Sequence, residues 1–401
     1  MRVLLVSTAF PFPPRWGFAV RVYQLARQLA AHHEVTLLSY ADRDDEHAAA
    51  SLAGALDVEL VRREPRSSAA KRLKQASALV AGRAFHANAV ESPEMQRAID
   101  RLCAERGFDV VQLESSLLGT FEIPAPARVV LDEHNIEHEV FQRMCANERS
   151  TLRRAFYRAE HKRFRTFEES LWRRVDACVV TSGREKEIVE AVAPDTRTAV
   201  VPNGVDVEYF RPVADGTRPN SAVFNGVLDY RPNFDAACFL ADEIWPRVRS
   251  HVPDAEIAIV GRASEADVRR LQGPGVTVTN EVPDVRPYLQ RAAVVVVPIR
   301  IGGGTRFKVI EGLAVGKAVV STTLGAEGIA VEPGVNILFA DDAEAFAENV
   351  VTLFGERSSA DELGRAGREL VERRYSWDYA GGCLEALYRQ LSGAPAETVS
   401  A

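Results

Sequence analysis

An apolar run from Ala292 to Ile299 leads into Gly302-Gly303-Gly304-Thr305-Arg306-Phe307-Lys308-Val309-Ile310-Glu311-Gly312, and a second apolar run, Ala318-Val319-Val320-Ser321, follows Gly316. The order is strand, glycine turn, amphipathic helix, strand, which is one step of an α/β layer structure. Such a turn sets backbone N–H groups at a helix N-terminus, where they can hold phosphate. Arg306 and Lys308 add positive charge there, which the helix dipole disfavours unless an anion is present. With the carboxylate of Glu311 one to two turns deeper, the set suits a phosphate-bearing ligand such as a sugar nucleotide. Two better-known phosphate loops are excluded by spacing. Phe307-Lys308-Val309 stands where a P-loop needs Gly-Lys-Ser/Thr, and Phe307 replaces the third glycine of a dinucleotide fingerprint. Taken alone, the segment also fits a tight strand-to-helix turn with solvated bases, the less favoured of the two readings.

The same alternation runs along most of the chain. Residues 2–7 read as a buried strand, followed by a Pro/Gly loop to Gly17 and a helix over 18–31. Strands are expected near 34–39, 58–61, 109–113, 127–132 and 177–181, with a long charged helix over 150–174. The turn residues of Ala199-Val200-Val201-Pro202-Asn203-Gly204-Val205-Asp206 break this pattern and read as a hinge between domains. A second block has strands at 221–226, 256–260, 276–279, 293–298, 318–321 and 336–339. Helices are expected at 343–354, 358–372 and from Trp377 to Leu391. Two doubly wound α/β domains follow, 1–200 and 201–375, facing across a cleft that takes a ligand at the carboxyl ends of the strands. The last helix spans 376–391, and the small polar tail 392–401 reads as disordered.

At 401 residues, two domains suit the length better than one. Apolar residues make up 46% and charged residues 26%, a globular profile, and no apolar run approaches the ~20 residues a transmembrane helix needs. Pro11, Pro13 and Pro14 interrupt the apolar start too early for a signal peptide. The net charge of −7 argues against nucleic acid as a partner. Five scattered cysteines without a CxxC point to a reduced, cytoplasmic setting and no zinc ribbon. The basic stretch Arg62 to Arg83 (Arg62, Arg63, Arg66, Lys71, Arg72, Lys74, Arg83 against Glu64) reads equally as a peripheral contact with anionic lipid at the inner face of a membrane or as a solvated face. The cluster Arg153, Arg154, Arg158, Lys162, Arg163, Arg165, interleaved with Glu160, Glu168 and Glu169, favours a solvated face.

Several motifs occur in a fixed order: Pro202-Asn203-Gly204-Val205-Asp206, Gly226-Val227-Leu228-Asp229-Tyr230-Arg231-Pro232-Asn233, Ile259-Val260-Gly261-Arg262, the loop 302–311, and Gly316-Lys317-Ala318-Val319-Val320-Ser321-Thr322. In this order they resemble the retaining family 4 glycosyltransferases of the GT-B fold, and most of all the bacterial sugar transferases of polysaccharide and exopolysaccharide assembly. The resemblance covers nearly the whole chain and is strongest from about 200 to 340. It implies an acceptor-binding first domain, a donor-binding second domain, and a C-terminal helix that crosses back to the first. It also implies a hexosyltransferase that moves a sugar from a UDP- or GDP-sugar to an acceptor hydroxyl with retention. The acceptor would be a saccharide, a lipid-linked saccharide or a small molecule.

Roles follow residue by residue from the resemblance. Glu311 binds the ribose hydroxyls. The amides of Gly304 and Thr305 meet the distal phosphate, while Lys308 and Arg231, with Arg306 as a weaker candidate, neutralise the diphosphate. Glu281 and Val282 pass beside the base, and Gly17 and Gly226 belong to donor-contacting loops. His134 faces the transferred sugar, so the catalytic set is His134, Arg231 and Lys308. Two departures from the family pattern stand out. Gly303 occupies the position, eight before Glu311, where many relatives carry a first glutamate, and the paired glycines of the first loop are reduced to Gly17-Phe18.

Transfer of this kind demands no nucleophilic triad, because preorganised N–H dipoles and cations can meet the charge on departing phosphate. No cofactor or metal is expected, with fixed cations in place of Mg²⁺, and no Asp-x-Asp motif is recognised in a suitable strand-end loop. Two rival readings remain. His134-Asn135-Ile136-Glu137-His138 matches the His-x-x-Glu-His pattern of inverted zincins. A nucleotide-sugar epimerase or a non-catalytic sugar-nucleotide binder could share the fold.

Overall fold

The computed structural model describes the chain except residues 43–44, 51, 53, 55, 64–83, 147, 149, 214–215 and 394–401. It divides into two compact units, Met1–Asn203 with Trp377–Ala401, and Gly204–Ser376.

The first unit is built on a seven-stranded sheet of order β3-β2-β1-β4-β5-β6-β7 among the described residues. Its strands are β1 (Arg2–Ser7), β2 (Glu34–Ala41), β3 (Asp57–Arg62), β4 (Val110–Leu113), β5 (Arg128–Glu133), β6 (Ala177–Val180) and β7 (Arg197–Val200). Every pairing is parallel, with Val3 opposite both Val35 and Val110. Strands covered on both faces read as unbroken apolar runs, and Val3 to Val6 are fully buried. Helix Gly17–Ala30 turns Ala19, Val22, Leu25, Ala26 and Leu29 inward, the spacing of one helical face. The C-terminal helix Trp377–Leu391 packs on it, as the resemblance implies. Gln28 donates to Asp378 at 2.8 Å, and Tyr388 reaches Gln112 at 2.6 Å.

The second unit holds a six-stranded sheet of order β10-β9-β8-β11-β12-β13, again parallel throughout. These strands are β8 (Ser221–Asn225), β9 (Glu256–Val260), β10 (Val276–Asn280), β11 (Val294–Val297), β12 (Ala318–Ser321) and β13 (Leu338–Phe339). Val294 to Val297 are fully buried, and helix Phe307–Ala314 lays Val309, Ile310, Leu313 and Ala314 on the sheet. In each order the strand sequence reverses once, beside β1 and β4 and beside β8 and β11. That reversal is where open α/β sheets bind ligands.

The structure corrects the expected elements in places. Ala199 and Val200, read from sequence as part of the hinge, belong to β7, with Val200 opposite Val180. Helix Gly183–Val192, capped by the Ser182 hydroxyl on the Glu185 N–H, precedes that strand and has no counterpart in the sequence reading. Strand 293–298 contracts to Val294–Val297, and 336–339 to Leu338–Phe339.

Arg62 and Arg63 are the described members of the first basic stretch; the remainder, like tail residues 394–401, lies outside the described residues. In the second cluster Arg153, Arg154, Arg158, Lys162 and Arg165 are exposed on helix Thr151–Trp172, while Glu160 and Glu168 turn inward. All five cysteines are free thiols, and no described helix is long and apolar enough to cross a membrane.

Candidate active site

In the second unit, the residues expected to hold phosphate and ribose gather at the carboxyl ends of β8 and β11. Gly302 and Gly304 take left-handed backbone angles, φ +105° and +79°, which lets the chain leave β11 and enter helix Phe307–Ala314 within a few residues. Arg306 occupies the N-cap position with extended backbone angles, φ −92° and ψ 110°. Thr305 is buried, and Gly303, Gly304, Arg306 and Lys308 are half-buried along the turn.

Lys308 turns towards β8. Its Nζ donates to Asn233 Oδ1 at 2.7 Å and lies 4.5 Å from the centre of the Phe224 ring. Glu311, one turn further, accepts from Asn225 Nδ2 at 2.8 Å. Gly226 separates the two asparagines; a Cβ on it would lie 2.6 Å from Lys308 Nζ. Burial dominates the titration of both charged groups. It lowers the Lys308 ammonium from its ordinary 10.5 to about 7, with Arg306 acting in the same direction and Glu311 opposing. It raises the Glu311 carboxyl, against the bond from Asn225 and the charge of Lys308. A desolvated cation of this kind regains its proton when an anion arrives.

The other expected contacts surround this centre less tightly. Arg231 is exposed, the first residue of helix Arg231–Phe239. Glu281 is exposed and Val282 half-buried just beyond β10. There Asn280 turns at φ +62°, and its Oδ1 accepts from the N–H of Ala263 at 3.1 Å and of Glu281 at 2.8 Å.

In the first unit, polar side chains cluster past β4 and β5. His134 follows β5 directly; its Nε2 meets Glu114 Oε2 at 3.2 Å, and its ring stacks on Phe18 with centroids 4.8 Å apart. Gly17 is exposed at the start of the helix that carries Phe18. Burial raises the Glu114 carboxyl, and the bond from His134 offsets part of that. Beneath lies Arg21, 1% exposed, which bonds both Asp132 oxygens at 3.0 and 2.8 Å, the Val201 carbonyl at 2.9 Å and Asn203 Oδ1 at 3.2 Å. Asn203, read as a turn residue, is thus an anchor of its unit.

The zincin reading does not survive this geometry. His134 lies in the loop, whereas His138 sits in helix Glu137–Ala146 with its Nδ1 2.5 Å from buried Glu168. Glu168 also accepts the N–H groups of Glu137 and His138 at 2.9 and 3.2 Å, so it caps that helix. Burial and the nearby Glu137 push Glu168 up to about 8, while burial pushes His138 down. Among the described residues, the group gathering potential metal-ligand atoms within 4.8 Å is Glu114, Asp132 and His134, without His138. Arg21 already places a cation on both Asp132 oxygens. Against the expectation of no Asp-x-Asp motif at a strand end, Asp42-Arg43-Asp44, directly after β2, has that spacing. The Asp42 N–H is bonded by Asp45, and residues 43–44 lie outside the described residues.

Asn225, Asn233, Arg21, Glu114 and Phe18 had no assigned role in the sequence reading. The usable signal was polar residues at the carboxyl ends of apolar strands, Asn225 after Ala222-Val223-Phe224 and Glu114 after β4.

A two-unit α/β chain with a phosphate-suited loop at one switch point and a polar strand end in the other unit has the features of a nucleotide-sugar-dependent transferase of the GT-B fold. The description "Glycosyltransferase Family 4" matches residues 17–209 and "Glycosyl transferases group 1" matches 219–356, so the two together take in most of the chain. The chain belongs to the family 4, group 1 glycosyltransferases and is a nucleotide-sugar hexosyltransferase. It is 25% identical over 314 residues to a phosphatidyl-myo-inositol mannosyltransferase of Mycolicibacterium smegmatis, covering 75% of this chain and 76% of that one. It is 24% identical over 263 residues to the lipopolysaccharide core biosynthesis mannosyltransferase LpcC of Rhizobium leguminosarum, covering 61% and 73%. Among solved structures, sucrose-phosphate synthase of Thermosynechococcus elongatus superposes with a TM-score of 0.73 at 20% identity over 98% of this chain and all of that one (100%), a likeness of fold.

Proposed function

We propose that the enzyme transfers a hexose, with mannose the first to test, from a GDP- or UDP-sugar to an acceptor hydroxyl with retention of anomeric configuration and without a metal. The observation that carries the donor assignment is the pair Lys308 and Glu311, set one helical turn apart at the β8–β11 switch point. In this reading Glu311 takes the ribose hydroxyls. Lys308, Arg231 and the amides of Gly304 and Thr305 take the diphosphate, with Arg306 adding charge. Glu281 and Val282 run beside the base, Gly226 leaves room for the Lys308 ammonium and Gly303 for the donor, and Gly17 approaches the phosphates. The names of the mannosyltransferase relatives favour mannose, and that of a GDP-mannose-dependent relative from Corynebacterium glutamicum favours GDP as the carrier. They also favour a glycolipid or saccharide as acceptor.

In the reaction the bond from the anomeric carbon to the diphosphate oxygen breaks, and the acceptor oxygen bonds that carbon on the same face. The acceptor's proton passes to the departing phosphate. Negative charge grows on the diphosphate as it leaves, and Lys308 and Arg231 stabilise it there more than in the ground state. His134 holds the hydroxyls of the transferred sugar, its ring set by Glu114 and Phe18. Thermal-shift screening against a panel of nucleotide sugars tests the donor half, since a ligand binding only the folded state raises its stability by RT ln(1 + [L]/Kd). GDP-mannose or a UDP-hexose should raise the melting temperature. No shift with any nucleotide sugar would sink the donor assignment.

A further inference from the structure

Lys308 and Glu311 stand three residues apart on one helix, a spacing at which opposite charges attract. They are half-buried, where that attraction is stronger than in water. Yet they form no ion pair with each other in the structure; each is bonded to a neutral amide. We propose that Asn225 and Asn233 are positioning residues that keep Glu311 and Lys308 apart, leaving the carboxylate for the ribose hydroxyls and the ammonium for the diphosphate. The proposal rests on the donor reading above and says how this chain prepares that site.

The geometry fixes which way each amide faces. Asn233 Nδ2 donates to the Val227 carbonyl at 2.8 Å, so its Oδ1 is the atom left for Lys308 Nζ, at 2.7 Å. Asn225 Nδ2 donates to Glu311 Oε2 at 2.8 Å, which an ionised carboxylate requires, because two acceptors would repel. Asn225 is 9% exposed, and its Oδ1 is buried without a hydrogen-bond partner. Orphaned buried acceptors are rare enough to need a reason. Beside a carboxylate, one more acceptor matches the second O–H of a ribose diol. An amide holds a charge by hydrogen bonding without cancelling it, whereas a carboxylate at 233 would neutralise Lys308 before any phosphate arrived.

Gly226 makes the arrangement possible. A side chain there would meet Lys308 Nζ at 2.6 Å and Asn233 Cγ at 2.9 Å, so the ammonium lies where a Cβ would have been. The amide ahead of this glycine and the one beyond it therefore serve different charged groups and different parts of the ligand.

That division of labour gives a test on the full-length chain, by calorimetric titration with GDP, UDP, their nucleosides and 2′-deoxy forms, and inorganic pyrophosphate. Asn233→Asp should weaken pyrophosphate and the preferred nucleoside diphosphate by about tenfold or more while leaving the nucleoside within about twofold. Asn225→Ala should leave pyrophosphate unchanged and shrink the preference for ribo- over deoxynucleotide by about tenfold. Should either variant fail to fold, Asn225→Ser and Asn233→Ser, which keep a small polar group, replace it with the same expected pattern in weaker form. Parallel loss of nucleoside and pyrophosphate in each variant, or no change in either, would overturn the proposal and leave the donor reading standing. If the unaltered chain binds neither GDP nor UDP, the donor reading fails first and the positioning role falls with it.

Discussion

Removing the ammonium of Lys308 or the guanidinium of Arg231 takes positive charge from the place where the leaving diphosphate becomes more negative. Lys308→Ala and Arg231→Ala should each cost ~2–4 kcal/mol of transition-state stabilisation, the order seen when one preorganised donor is lost. The loss should exceed any weakening of nucleoside binding; unchanged turnover in both variants would remove them from the site. Lys308 also links binding to pH. Burial holds its value near 7 in the folded chain against 10.5 in an unfolded one, with Arg306, Glu311 and Asn233 the groups that face it. Since the folded value is depressed, the fold binds fewer protons than the unfolded chain between these limits. Its stability from this group rises with pH across that window and is lowest below it. Binding a diphosphate restores the charge, so at about pH 8 nucleoside diphosphate binding should take up a proton. Calorimetry in two buffers of different ionisation enthalpy measures this, and identical heats in both would contradict it. The 302–311 loop was legible as a glycine turn into a helix because Gly302 and Gly304 take backbone angles that favour glycine. Asn225 and Asn233 were not, because an asparagine beside glycine or proline reads as a turn residue. Their partners lie 86 and 75 positions away in the chain.

At the scale of elements, the β8–Gly226 turn and the Arg21 anchor make separate claims. Gly226→Ala is strained at φ +159° and should lower stability, but it should still fold, since the atom its Cβ strikes first is the end of a flexible lysine. Nucleoside diphosphate should nevertheless bind less tightly, because Lys308 must move; wild-type affinity would show that the ammonium is not needed where it lies. Arg21→Ala strips a buried carboxylate, Asp132, of its cation and should destabilise the first unit by ~3–5 kcal/mol, read by chemical denaturation. A loss under ~1 kcal/mol would mean that water or His134 compensates. Strands β1, β6, β11 and β12 were readable as unbroken apolar runs because both faces are covered. β7 was not: Arg197-Thr198-Ala199-Val200 is a short edge strand, only Thr198 of which is buried, so it has neither a run nor a clean alternation.

For the whole molecule, the two-unit GT-B architecture was legible from motif order and strand–helix alternation. The return of Trp377–Leu391 to the first unit rests on contacts such as Tyr388 to Gln112, 276 positions apart, and came only from the resemblance. The rival His134-x-x-Glu137-His138 match stayed open in the sequence because spacing along a chain cannot show that His138 is held by Glu168. Retention without a metal is the claim that joins Lys308, Arg231 and His134 into one enzyme. His134→Ala should accordingly lower transfer while leaving free nucleotide binding nearly intact; loss of nucleotide binding would place this histidine elsewhere. The most direct measurement is the anomeric configuration of the product, followed by NMR from an α-linked nucleotide sugar in the presence of a chelator. Retention without a metal requires an α-linked product formed at an undiminished rate. A β-linked product, or activity abolished by the chelator and restored by a divalent metal, would contradict it.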